Sequence, residues 1–411
     1  MDKIETQGFD KARLDVVGPL LQGVVDASDL SGVVAMVWRR GEIVRLDTVG
    51  RRDIANNLPM QRDTLFRIAS MSKPVTSVAT MMLLEEGKLA LEDPIAKWLP
   101  EFETMRVLKS PTGALDDTAP SPRAITVEDL LTHRAGLAYG FTSSGPVAKA
   151  HEEALGSPLD VPYTPDDWLR RLASLPLTYA PGTQLHYSHA TDVLGFLVGR
   201  VAGMDFREFL MQRLFSPLGM KDTDFHVPPS KRSRQAVLYQ RDATSGKLHR
   251  FAMPNHDDPP AFAGGGGGLI SCLDDYLSFA RMMLNKGELD GRRYLKRETV
   301  ETMCTNRLTE AQRQVPFLGL PFWTGMGFGL GVSVVMDAQK HEWMGAASDG
   351  TFGWPGAFGT WWQADPAKEM ILIFLIQDYV PLTSDIAGRA VTGARVACPM
   401  WQKMVYGALS E

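Results

Sequence analysis

At 411 residues the chain exceeds one ordinary core, and at about 150 residues per domain it points to two or three structural units. Hydrophobic residues make up 44% and charged residues 22%, which excludes intrinsic disorder. The net charge of −5 excludes a basic nucleic-acid footprint, and no apolar run nears the ~20 residues of a membrane-spanning helix. Residues Phe9 to Ala27 carry apolar side chains at helical spacing. Val33 to Trp38 and Ile43 to Val49 flank a turn at Arg39 to Glu42, so Ser31 to Gly50 reads as a β-hairpin. From Pro74 to Glu86 the stripe of Val75, Val78, Ala79, Met82 and Leu83 predicts a helix, with Gly87 at its C-terminal cap.

The next 140 residues read as mainly helical, at Val127 to Leu131, Asp166 to Leu175, Ala190 to Val201 and Asp205 to Leu214. Turn formers make Leu108 to Arg123 a long loop. Ser271, with Asp274 three residues on, predicts a capping box at a helix start. Gly331 to Met336, Phe358 to Ala364 and Met370 to Gln377 read as strands, the last two joined by a turn at Asp365 to Glu369. A closing helix is expected from Ser384 into Met404. The fold class is therefore α/β, of the α+β sandwich kind. An antiparallel sheet built from both chain ends (1–65 and 231–411) carries an inserted helical domain (66–230), with the site at their interface.

Ser70-Met71-Ser72-Lys73 is an S-x-x-K motif, met once in the chain. Pro74 belongs in a first helical turn, so Ser70 sits at the helix start with Lys73 about one turn along on the same face. A serine hydroxyl needs a neighbouring base to become a nucleophile, and a lysine so placed can act as one. A plain helix start with a surface lysine fits the same letters. Tyr187 follows the turn Pro181-Gly182 and precedes a helix, so its hydroxyl can point into a cleft or simply pack. Trp354-Pro355-Gly356-Ala357 precedes a predicted strand, where Gly356 permits close backbone approach to a ligand, or makes a turn. The apolar segment Val315 to Trp323, with Phe317 and Trp323, lines a pocket or packs on the sheet. His186 and His189 have no third partner at metal-ligand spacing, so no metal is expected. Cys272, Cys304 and Cys398 make no disulfide framework. The five-glycine run Gly264 to Gly268 lacks the Lys-Ser/Thr of a phosphate loop, and no G-x-S-x-G occurs. Met1 to Glu5 has no signal-peptide pattern, so the expected location is cytoplasmic.

In order and spacing these motifs resemble the serine β-lactamase and penicillin-binding-protein superfamily, closest to the family VIII carboxylesterases. Further stretches carry the likeness along nearly the whole chain: Leu130 to Leu137, Ser216 to Thr223, and Gly267 to Ser271 with Asp275-Tyr276. The resemblance implies Ser70 as the acylated nucleophile, with Lys73 and Tyr187 sharing the proton transfers. It implies an oxyanion hole from the N–H groups of Ser70 and Ala357. Trp354 stands where β-lactamases carry the lysine of K-T-G, and His189 where Y-x-N has asparagine. That exchange of a cation for an apolar ring implies small-molecule, uncharged esters as substrates and no cofactor. Acyl transfer, weak β-lactamase or D-Ala-peptidase activity, and a non-catalytic scaffold are the alternatives.

Overall fold

The computed structural model describes residues 7–157, 161–242, 244–254, 258–342, 344–380 and 393–410. Its centre is an eight-stranded antiparallel sheet drawn from both ends of the chain. The strand order is Met326–Phe328, Ser333–Val335, Phe352–Pro355, Trp361–Asp365, Met370–Leu375, Gly32–Arg39, Glu42–Asp53, Leu58–Pro59. The hairpin Gly32–Arg39 to Glu42–Asp53 turns at Arg40 and Gly41, both at positive φ. That turn matches the right-handed twist of the flanking strands. The Asp365–Glu369 turn forms as expected, with Asp365 Oδ1 accepting the Lys368 N–H at 3.0 Å.

The central strands alternate between two cores, because both faces of the sheet are covered. Val34, Met36, Ile371, Ile373 and Leu375 enter the main core with the buried helices Ser72–Glu85, Ala190–Ala202 and Leu273–Leu284. Val33, Ala35, Val37, Leu372 and Phe374 face Leu14, Val17, Leu21, Trp401 and Val405 of the terminal helices. Among the described residues no helix is long and apolar enough to cross a membrane.

Several expectations differ from the structure, each for a local reason. The helix read over Phe9 to Ala27 is two, Lys11–Asp15 and Val17–Asp26. Pro19 forbids a continuous helix, since its ring would strike the Asp15 carbonyl, and is tolerated only in a first turn. The long loop at Leu108 to Arg123 is a small hairpin with strands Arg106–Leu108 and Thr118–Pro120. The capping box at Ser271 does not form. Ser271 lies in a short strand paired with Phe66–Arg67, and Asp274 turns outward to Arg62 at 2.7 Å. Cys272 takes the N-cap position without a side-chain cap. Trp354 does not precede a strand but lies in one, Phe352–Pro355, and residues 356–360 turn into the next, Trp361–Asp365. The helix Pro146–Leu155 was not anticipated, although Pro146 occupies a favourable first position. The closing helix is described over Gly393–Gly407, and the expected stretch 384–392 lies outside the described residues.

Candidate active site

The S-x-x-K segment forms the junction between a tight turn and a long helix. Ala69–Met71 is a short 3-10 turn and Ser72–Glu85 the helix, with Pro74 in its first turn. The helix is buried on nearly all sides, and Gly87, at φ +67°, ends it as its sequence predicts. Ala69 has φ +46°, a left-handed conformation that costs a non-glycine residue on the order of 1 kcal/mol or more. That kink sets Ser70 at the wall of a cavity of about 720 Å³.

Three polar atoms meet at Ser70. The Tyr187 hydroxyl donates to Ser70 Oγ at 2.7 Å, and Lys73 Nζ lies 3.3 Å from the same oxygen. Lys73 is 1% exposed, so its ammonium is satisfied inside the protein. Nζ also donates to the Gly266 carbonyl at 2.5 Å and to Tyr139 Oη at 3.3 Å. It stands 4.7 Å from the centroid of the Tyr187 ring.

A charged frame surrounds Lys73. Asp192 Oδ1 accepts the Gly266 N–H at 2.8 Å, and Oδ2 pairs with His189 Nδ1 at 3.0 Å. Burial works to raise the Asp192 carboxyl, but the hydrogen bond from His189, the Lys73 charge and the Gly266 N–H together hold it below its usual range. Burial holds His189 below its usual range as well, so a neutral imidazole donates to an ionised carboxylate. Burial, and then the Asp192 charge, push the Tyr139 phenol well up, so it stays a donor.

On its other side Tyr187 packs in an apolar box. Trp354, Phe317, Phe322, Trp323 and Phe328 form one aromatic cluster with it. The Trp354 Nε1–H points to Tyr187 Oη over a long 3.5 Å. His133, with φ +53°, sets its ring 4.7 Å from the Tyr187 ring. Burial, and then the nearby Lys73 charge, hold His133 well below its usual range.

A serine touched by both a phenol and a buried lysine, on a sheet of this topology, calls for comparison with known proteins. The family model named Beta-lactamase matches residues 18–395. This chain belongs to the beta-lactamase family. Among its relatives is Protein Rv1367c of Mycobacterium tuberculosis (strain ATCC 25618 / H37Rv), 48% identical over 95% of this chain and 97% of that protein. Esterase EstB of Burkholderia gladioli is 31% identical over 89% of each chain. Among solved structures, EstCE1, a hydrolase with promiscuous acyltransferase activity, aligns with a TM-score of 0.77 at 26% identity. That alignment covers 94% of this chain and 98% of EstCE1. The beta-lactamase fold therefore comes here with esterase relatives, in agreement with the family VIII likeness of the motifs.

Within this member of the family the sequence-predicted residues fall into three groups. Ser70, Lys73 and Tyr187 converge, and Ser70, Tyr187, His189 and Ala357 line the cavity. Gly356 lies behind it, its close approach being to protein and not to open space. A Cβ there would sit 2.0 Å from Thr360 Oγ1 and 2.3 Å from the Ile68 carbonyl. Glycine thus lets the turn at 356–360 press against the segment leading into Ser70, which carries Ala357 to the cavity. Trp354, Phe317 and Trp323 stand behind Tyr187 and do not line the cavity. The aromatic lining comes instead from Phe141, Tyr163, Trp168, Phe225 and Phe262. His186 turns away from His189, its Nε2 lying 3.3 Å from Ser143 Oγ. Sequence reasoning missed Tyr139, Asp192 and Gly266. The available signals were the tyrosine just past the Leu130 to Leu137 stretch and the unexplained glycine run.

Proposed function

We propose that this protein is a serine carboxylesterase acting on small to medium, uncharged esters through an acyl-Ser70 intermediate. The observation that carries the reading is the convergence of Tyr187 Oη at 2.7 Å and Lys73 Nζ at 3.3 Å on one serine oxygen beside an open cavity. With Lys73 as the free amine, Ser70 Oγ attacks the ester carbonyl carbon while its proton passes to Nζ, directly or relayed by the Tyr187 hydroxyl. The N–H groups of Ser70 and Ala357 receive the oxyanion, each such donor supplying about 2.7–4 kcal/mol. The carbonyl re-forms, the C–O bond to the alcohol breaks, and the alkoxide takes the proton back through Tyr187. Water then attacks the acyl-Ser70 by the same route and frees the acid.

The cavity supports this substrate class. Its volume of about 720 Å³ suits a small organic ligand, and aromatic rings and prolines contribute much of its wall. The position of the K-T-G lysine is held by Trp354, which is buried and uncharged, so no lysine is available there for an anionic β-lactam. The likeness to EstCE1 favours a second reading, in which an alcohol replaces water as the acyl acceptor.

A fluorophosphonate should leave one adduct, on Ser70, visible by mass spectrometry of the digested protein. Ser70→Ala should lose hydrolysis of nitrophenyl esters, and retention of full activity sinks the reading. Nitrocefin should turn over far more slowly than a nitrophenyl ester. Added methanol or butanol will divide acyl transfer from hydrolysis by the ester-to-acid product ratio.

A further inference from the structure

The glycine run Gly264 to Gly268 has no role in the chemistry just described, yet its backbone touches both ends of a buried charge pair. Gly266 accepts from Lys73 Nζ through its carbonyl and donates to Asp192 Oδ1 through its N–H. One peptide segment thus bridges ammonium and carboxylate. A second bridge runs in parallel, from Lys73 Nζ to Tyr139 Oη at 3.3 Å and on to Asp192 Oδ2 at 3.4 Å. Together they close a ring of Lys73, Gly266, Asp192 and Tyr139 around the ammonium.

The ring explains why glycine stands at 266. A Cβ there would lie 2.8 and 2.9 Å from the two Asp192 carboxylate oxygens and 2.9 Å from Tyr139 Oη. Any side chain would push apart the groups that hold Lys73. Neighbouring Gly265 is equally confined, since a Cβ would meet the Thr191 carbonyl at 2.7 Å. The run is therefore a strip of backbone threaded between the helix Ser72–Glu85 and the helix Ala190–Ala202.

We infer that Asp192 is a positioning residue for Lys73, acting through the Gly266 peptide and the Tyr139 hydroxyl. This rests on the esterase reading above. Lys73 has a long flexible stem, and its proton transfer with Ser70 demands a fixed Nζ. Two hydrogen bonds of the ring occupy two N–H groups of Nζ, leaving its third position facing Ser70 Oγ, where the free amine presents the lone pair that takes the serine proton. Asp192 anchors both acceptors from the far side, and His189 holds Asp192 in turn through Nδ1 at 3.0 Å.

The test compares Asp192→Asn with Tyr139→Phe in steady-state hydrolysis of a nitrophenyl ester and in the rate of Ser70 labelling by a fluorophosphonate. Loss of the outer partner of a metal ligand costs about 10–100-fold in activity, and the same factor is expected for a lysine held from behind in this way. Asp192→Asn should lose kcat and labelling rate by that factor with KM within about twofold, because asparagine fills the same place in the cavity wall. Tyr139→Phe removes one bridge of two and should lose less. A KM rise at unchanged kcat makes Asp192 a substrate contact and overturns the inference, as does wild-type kcat in Asp192→Asn. If Asp192→Asn fails to fold, Tyr139→Phe decides alone: unchanged kcat and labelling rate overturn the inference. Ser70→Ala and Lys73→Met separate the two levels. Activity retained in those variants removes the esterase reading itself. Activity lost in them but kept in Asp192→Asn removes only the positioning role.

Discussion

Tyr187 has two sides built on opposite principles. One side is an apolar box of aromatic rings, Trp354, Phe317, Phe322, Trp323 and Phe328, held by area and shape. The other is a ring of buried charge and hydrogen bonds around Lys73. Packing is non-directional and degrades gradually when one ring is trimmed. A buried polar network is directional, and a single missing partner leaves another group unsatisfied. One tyrosine is thus packed by the first kind of force and joined to Ser70 and Lys73 by the second.

The sharpest way to break this contrast is Lys73→Met, which keeps the length of the stem and removes the charge. Activity should fall about 10²–10⁴-fold, in the range expected when a proton-transfer group is lost. Steady-state kinetics checks it, and near-wild-type kcat would mean that Tyr187 works without the polar side. On the apolar side, Trp354→Ala should lower stability by about 3–5 kcal/mol through the cavity it leaves. A urea midpoint reads that loss, and kcat of the folded protein should drop less than in Lys73→Met. A raised KM at unchanged midpoint would instead put Trp354 in contact with substrate.

A further effect on stability should come from pH. Burial brings His151 down to about 3 and His186 down to about 4, below the ordinary histidine range. The unfolded chain binds protons that the folded chain refuses between about pH 6.5 and those values, so stability falls as pH drops through that window. The urea midpoint should decline from pH 7 to 4.5, and His186→Gln should flatten part of the slope. A midpoint independent of pH over that range contradicts the burial of these rings.

Parts of this site were legible in the sequence for identifiable reasons. Pro74 alone fixes where the helix may begin, and the helix then fixes Ser70 against Lys73, so that pair is local information. Tyr187 lies 117 residues from Ser70 and was reachable only through the order of the motifs. Trp354 and the segment holding Phe317 and Trp323 were each read as candidate substrate contacts, but nothing in their spacing says on which side of Tyr187 they fall. The frame of Tyr139, Gly266 and Asp192 comes from three separate segments joined by hydrogen bonds of the backbone and of a carboxylate, which leave no periodic trace. The sheet was legible because alternation and turn chemistry are local. The break at Val16 was legible too, had Pro19 been weighed as Pro74 was.

The pairing of Gly32–Arg39 with Met370–Leu375 has a consequence in time. The first strand of the sheet leaves the ribosome long before its central neighbour exists, and contacts so far apart in sequence are slow to close. Phe352–Pro355, Trp361–Asp365 and the turn that carries Ala357 toward Ser70 join the sheet through that same late strand. The helix that follows Ser70 is made early, but part of the cavity wall beside it waits for the end of synthesis. A nascent chain thus carries Ser70 without the Ala357 wall of its cavity until the last strands are in place.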